Sequence, residues 1–144
     1  MNLNQISVFL ENKPGMMYTL AEVLAKNNID MRALSLAETS DFGIARIIVD
    51  DAYKASTVLK DEGFINNITP VLGVAIPDTP GGLLQVLEIF NKNAINMEYM
   101  YAFSGENDPV HAYMIFRVED NKSAANVLAA KGIRTLSNDE LAQL

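Results

Sequence analysis

Two short turns hold the residues best suited to chemistry, Glu11-Asn12-Lys13-Pro14-Gly15-Met16 and Pro77-Asp78-Thr79-Pro80-Gly81-Gly82. After each comes an apolar stretch and then a polar residue set between apolar neighbours, Asp30 in the first case and Asn96 in the second. Each turn is placed to carry the chain from a strand into a helix. The first turn of a helix has unpaired N–H groups and a partial positive charge, which suits a carboxylate. Gly15 and Gly81 have no β-carbon to hold a ligand off the main chain, and Gly82 widens the gap ahead of Leu83. Asn12 and Asp78 lie two residues before the prolines, and with Asp30 and Asn96 they add hydrogen-bonding groups that match an ammonium. The candidate ligand-binding residues are therefore Asn12, Gly15, Met16, Asp30, Asp78, Gly81, Gly82, Leu83 and Asn96. A Pro-Gly turn opening a helix is also ordinary structure, and Asx residues are common helix caps, so the pattern alone leaves both readings open.

Other chemistries find little to work with. The absence of cysteine removes disulfides, thiolate catalysis and cysteine-ligated metal sites. The single histidine, His111, has no nucleophile beside it and is expected to be a partly exposed structural residue on the strand face it shares with Tyr113. No glycine-rich phosphate-binding motif is present, so no catalytic residue, cofactor or metal is expected and the chain reads as a non-enzyme. A net charge of −7 opposes nucleic acid, whose affinity for proteins rests on phosphate neutralisation. The apolar run at 71–76, interrupted by Gly73, falls far short of the roughly 20 residues a membrane span needs. Nothing near the N-terminus resembles a secretory signal, so a cytoplasmic protein is expected.

An internal repeat dictates the elements that position the two turns. Gly15 aligns with Gly81, and Asn28-Ile29-Asp30-Met31 with Ala94-Ile95-Asn96-Met97, at an offset of 66 residues. Val49-Asp50-Asp51 and Gly63 then align with Val118-Glu119-Asp120 and Gly132 at an offset of 69. The three extra residues of the second copy fall near 105–109, a cluster of turn formers where added length costs little closure entropy.

Within the first copy, 5–10 alternates as a strand. Pro14 suits a first helical position, and Met17, Leu20, Ala21 and Leu24 recur at helical spacing up to Asn27-Asn28. Strands at 31–37 and 44–49 flank a turn at 39–43. Asp51 opens a second helix that stops at Gly63, and a short strand starts at Phe64. The second copy repeats this with 71–76, 83–92, 97–103, 112–118, 123–130 and 133–136. Ser137-Asn138-Asp139-Glu140 then has capping-box spacing for a last helical turn. The fold class is α+β, two tandem ferredoxin-like βαββαβ units with antiparallel sheets, the first at 1–69 and the second at 70–144.

The strands are apolar on both faces. Met97, Tyr99, Tyr101 and Phe103 share one face by alternation, while Met100 and Ala102 share the other. Helices cover one face. The second is either core beneath a neighbouring copy or a subunit interface, and a homodimer is the expectation.

The turns, the apolar helices behind them, and Ile29-Asp30-Met31 and Ile95-Asn96-Met97 together resemble the ACT domain family over nearly the whole chain. The resemblance implies βαββαβ domains that pair side by side and bind amino acids at their interfaces, usually to regulate metabolic enzymes. Ligand contacts would come from the strand-to-helix turn and the residue starting the second strand. The chain would then be an amino-acid-binding regulatory protein without its own enzyme, its ligand held at an inter-domain or inter-subunit interface. The copies differ where Met16 answers Gly82, which leaves open whether both bind. Fold alone does not settle function, and the alternative is a protein–protein interaction module that regulates a separate metabolic enzyme without a small molecule. Acyl-phosphate hydrolysis, metal carriage and RNA binding, which other ferredoxin-like units perform, lack respectively a turn arginine (Lys13 stands there), cysteines, and a basic setting for Tyr99, Tyr101 and Phe103.

Overall fold

The computed structural model describes residues 2–38, 41–103, 105 and 107–144. It separates into two compact units, one of Asn4–Thr69 and one of Pro70–Leu144 joined by Leu3. The first unit contains β1 (Leu3–Glu11) from Asn4 onward, α1 (Met16–Lys26), β2 (Met31–Glu38), β3 (Phe42–Val49), α2 (Ala52–Asp61) and the opening residues of β4 (Ile65–Pro77). The second contains the remainder of β4, then α3 (Gly82–Lys92), β5 (Met97–Phe103), β6 (His111–Val118), α4 (Asn121–Ala130) and a short α5 (Asn138–Ala142). The expected turn at 39–43 and insertion at 105–109 fall partly on Thr39, Ser40 and Glu106, which lie outside the described residues.

In the first unit β3 lies between β2 and β1, antiparallel to both, with Val8 opposite Ala45 and Leu36 opposite Ala45 on the other side. In the second unit β6 takes that central place between β4 and β5, with Val74 opposite Met114 and Ala102 opposite Met114. One face of each sheet is closed by its two helices. Ile6, Val8, Ala45 and Ile47 pack with Leu20, Leu24, Ala55 and Leu59 in the first unit. Leu72, Val74, Phe116 and Val118 pack with Val86, Phe90, Ala124 and Leu128 in the second. The helical residues in the two sets are repeat equivalents, so the periodicity that specifies α1 and α2 specifies α3 and α4.

All four long helices end alike. Asn28 (φ 56°), Gly63 (87°), Ala94 (52°) and Gly132 (79°) take the left-handed conformation just past the helix. The next amide then reaches back to close the last turn: Ile29 to Leu24 O (2.9 Å), Phe64 to Leu59 O (2.9 Å), Ile95 to Phe90 O (2.9 Å) and Ile133 to Leu128 O (3.0 Å). The starts are of two kinds. Asp51 and Asp120 cap α2 and α4, their carboxylates accepting from the Lys54 and Ser123 amides at 3.1 Å, whereas α1 and α3 begin at left-handed Gly15 and Gly81 without a side-chain cap.

Four local expectations need correction. Pro14 precedes α1 instead of opening it, because the left-handed Gly15 that follows has to stand outside the helix. The strands expected from Phe64 and at 71–76 are one continuous strand, β4. The strand expected at 133–136 is a single bridge, Thr135 to Val74. A register shift between Met97 and Tyr99, matched by one between Met31 and Ala33, turns Met97 to the helix-covered face beside Met100, while Tyr99, Tyr101 and Phe103 stay on the other face.

That other face of the second unit is partly covered by the chain itself. The Leu136 amide donates to Gly73 O at 2.7 Å, and a β-carbon on Gly73 would lie 2.6 Å from Leu3 Cδ1 and 3.2 Å from Leu136 Cδ1. Leu3, Ile115 and Leu136 are all buried there. The expected capping box forms: Ser137 Oγ accepts from the Glu140 amide, and Glu140 turns back to the Ser137 amide, fixing α5.

Candidate functional site

The two turns close with the same backbone bond, Lys13 N–H to Glu11 O and Thr79 N–H to Pro77 O, each 2.9 Å. Gly15 (φ 87°) and Gly81 (φ 88°) need glycine for their left-handed backbone, and a β-carbon on either would meet nothing within 4 Å. Open space therefore adjoins both uncapped helix starts. Asn12 and Asp78 do not cap these helices.

At the first turn, Asn12, Gly15 and Met16 line a cavity of about 270 Å³ with Met17, Tyr18 and Leu36. The Lys13 ammonium stands 3.3 Å from Glu11 at its exposed rim.

At the second turn the space is larger and its chemistry differs. A cleft of about 810 Å³ runs from Pro77, Gly82 and Gln85 to Asp108, His111 and Tyr113 of the β5–β6 hairpin. Arg134 and Glu140 of the C-terminal segment line it as well. Gly82 is buried, and its missing β-carbon makes room for the chain, since that atom would lie 2.2 Å from Pro77 O. Asp78 and Gly81 are exposed and Leu83 half-buried beside the cleft without lining it. Asp30 and Asn96 are exposed and line neither space.

The hairpin and tail residues of the cleft form two bonded groups. Asp108 Oδ1 accepts from the amides of Val110 (3.1 Å) and His111 (3.2 Å). Its Oδ2 meets His111 Nδ1 at 2.8 Å and accepts the Tyr113 hydroxyl. The Tyr113 bond, with those from His111 and the two amides, outweighs burial and lowers the Asp108 carboxyl to about 2. Burial, reinforced by the same carboxylate, pushes the Tyr113 phenol up to about 12. Arg134 donates through Nη1 to Glu140, raising the guanidinium and lowering the carboxyl from their ordinary values.

His111 is 42% exposed at its side chain and shares its sheet face with Tyr113, as expected. Sequence reasoning missed its partners. Asp108 three residues before it, inside a turn, was the one local signal; Arg134 and Glu140, bonded to each other, line the same cleft through tertiary structure alone. Among the described residues, no group of three or more His, Asp or Glu side chains could hold a metal ion, and no helix is long and apolar enough to cross a membrane.

Two βαββαβ repeats, each entering its first helix through a Pro-Gly turn, define a tandem of ACT-type, ferredoxin-like domains. The chain belongs to the family described as an ACT domain pair, which it matches over residues 1–144. It is similar to protein BT0572 from Bacteroides thetaiotaomicron, with 40% identity, 100% of this chain and 98% of that one covered, and a TM-score of 0.92. Its fold is also like that of the ligand-free regulatory subunit of aspartate kinase from Thermus thermophilus, at 16% identity, 88% and 91% coverage and a TM-score of 0.65. The corresponding subunit from Thermus flavus gives 17% identity, 90% and 92% coverage and a TM-score of 0.62. A comparison with curated proteins gave no match.

Proposed function

We propose that this chain is a non-catalytic, amino-acid-binding regulatory protein whose ligand sits at the Pro-Gly turns where subunits of a homodimer meet. Its ACT domains are taken as 1–69 and 70–144, and its output as control of a separate metabolic enzyme. The observation that carries the reading is the pair of uncapped, glycine-opened helix starts, each with open space beside it and a cavity or cleft against its turn. First-turn amides there offer a carboxylate both hydrogen bonds and a favourable dipole. Membership of the ACT domain pair family supports the regulatory role.

The test is a thermal-shift and calorimetric screen of the full chain with the twenty amino acids. A ligand that binds the folded state raises the melting temperature by mass action, and at least one amino acid is expected to do so at millimolar concentration. Asn12→Ala and Asp78→Ala should each weaken binding at their own turn. If no amino acid shifts the transition, small-molecule sensing is rejected and the protein–protein module takes its place.

A further inference from the structure

The carboxylates of the cleft are already committed. Asp108 is held by two amides, the Tyr113 hydroxyl and His111 Nδ1. Glu140 accepts from Arg134 and from the hydroxyl and amide of Ser137. An ionised Asp108 accepts only, so the Nδ1 facing it carries the proton, and in the neutral ring Nε2 is left as an acceptor. A buried Tyr113, 3% exposed, and a bonded hairpin tip hold that imidazole against the cleft.

The fixed charges disfavour an acidic side chain, because two carboxylates line the cleft against one guanidinium; Asp108 has all four acceptor sites taken, and Glu140 is already neutralised by Arg134, so neither is set up to pair with a lysine or arginine. An apolar side chain would cover His111 and Gln85 without bonding to them, and buried polar groups left unpaired are costly. The first-turn cavity shows the contrast, being lined by Met16, Met17, Tyr18 and Leu36.

From this arrangement we infer that the cleft at the second turn selects an amino acid with a neutral hydrogen-bonding side chain, an amide or a hydroxyl, and that His111 reads it. The inference rests on the amino-acid reading above and specifies its ligand class.

Calorimetry on the full chain with asparagine, glutamine, serine, threonine, leucine, methionine, aspartate and lysine tests it. One of the first four is expected to bind best. His111→Ala and Gln85→Leu change exposed positions and should each weaken that ligand about tenfold, the scale of one lost hydrogen bond. Binding only of leucine, methionine, aspartate or lysine overturns the selectivity while leaving the amino-acid reading intact. The assignment to this cleft is overturned if His111→Ala and Gln85→Leu both keep full affinity. Failure of all twenty amino acids to bind removes both.

Discussion

The carbonyl oxygen of Pro77 occupies the place a β-carbon on Gly82 would take, 2.2 Å away, so strand β4 and helix α3 meet backbone to backbone. Gly82→Ala must push one of them aside, and overpacking of this kind costs about 1–3 kcal/mol. Gly81→Ala meets no neighbour but must hold φ 88°, for a cost of about 1–2 kcal/mol. Urea unfolding of both variants separates crowding from backbone strain. If Gly82→Ala is neutral, the contact is not needed.

Ala94 holds φ 52° at the end of α3, where its repeat equivalent is Asn28, a residue type that tolerates this conformation better. Ala94→Gly is therefore expected to stabilise the chain by about 0.5–1 kcal/mol, and Asn28→Gly by less. Chemical denaturation midpoints give the comparison. A destabilised Ala94→Gly would contradict it.

The clasp between Tyr113 and Asp108 makes stability sensitive at both ends of the pH scale. Unfolded chains protonate Asp108 near 3.8, but in the fold its carboxyl is held to about 2. The unfolded state therefore binds more protons between these values, and stability is lost as pH falls through that window. Unfolded Tyr113 ionises near 10.0 and the folded phenol near about 12, so stability is lost again as pH rises across that interval. Asp108→Asn should flatten the acid limb and Tyr113→Phe the alkaline limb of a stability profile followed by circular dichroism. Unchanged limbs would remove the clasp from the account.

Leu34 and Leu36 of β2 are 44% and 56% exposed, and Tyr18 of α1 is 72% exposed. They are the apolar surface offered for the proposed homodimer. Sedimentation is expected to give twice the 15.8 kDa chain mass, and Leu34→Glu with Leu36→Glu to return it to one. A wild-type chain that sediments at 15.8 kDa rejects the dimer.

Much of the fold was legible because its signals are local and used twice. The Asp51 cap, the Gly63 stop and the Ser137 capping box each need only neighbouring residues, and all form as the sequence implies. The fused strand β4 was not legible, since Thr69-Pro70 looks like a boundary. Pro70 cannot donate, yet its carbonyl still accepts from Arg117 (2.9 Å) and Asn121 (3.2 Å). The face of Met97 was misjudged because one extra residue in a bulge reverses alternation without any change in composition.

The site was legible to a smaller degree. The missing β-carbons of Gly15 and Gly81 point to a close approach to the main chain, and open space lies there; their left-handed backbone was not legible, since Pro14 suits a helical start equally well. Gly82, expected to widen the gap for a ligand, instead makes room for the chain, because the carbonyl of Pro77 takes the place of a β-carbon. Arg134 and Glu140 are brought to the cleft that His111 lines by the path of the C-terminal segment, which no spacing in the sequence encodes.

The repeated helix ends make the chain its own comparison series. One joint is built four times, on Asn28, Gly63, Ala94 and Gly132, and each is closed by an amide of the following residue, Ile29, Phe64, Ile95 or Ile133. Hydrogen exchange at those four amides, followed in one sample, would rank what each residue type contributes to holding a helix shut, with solvent and temperature held common to all.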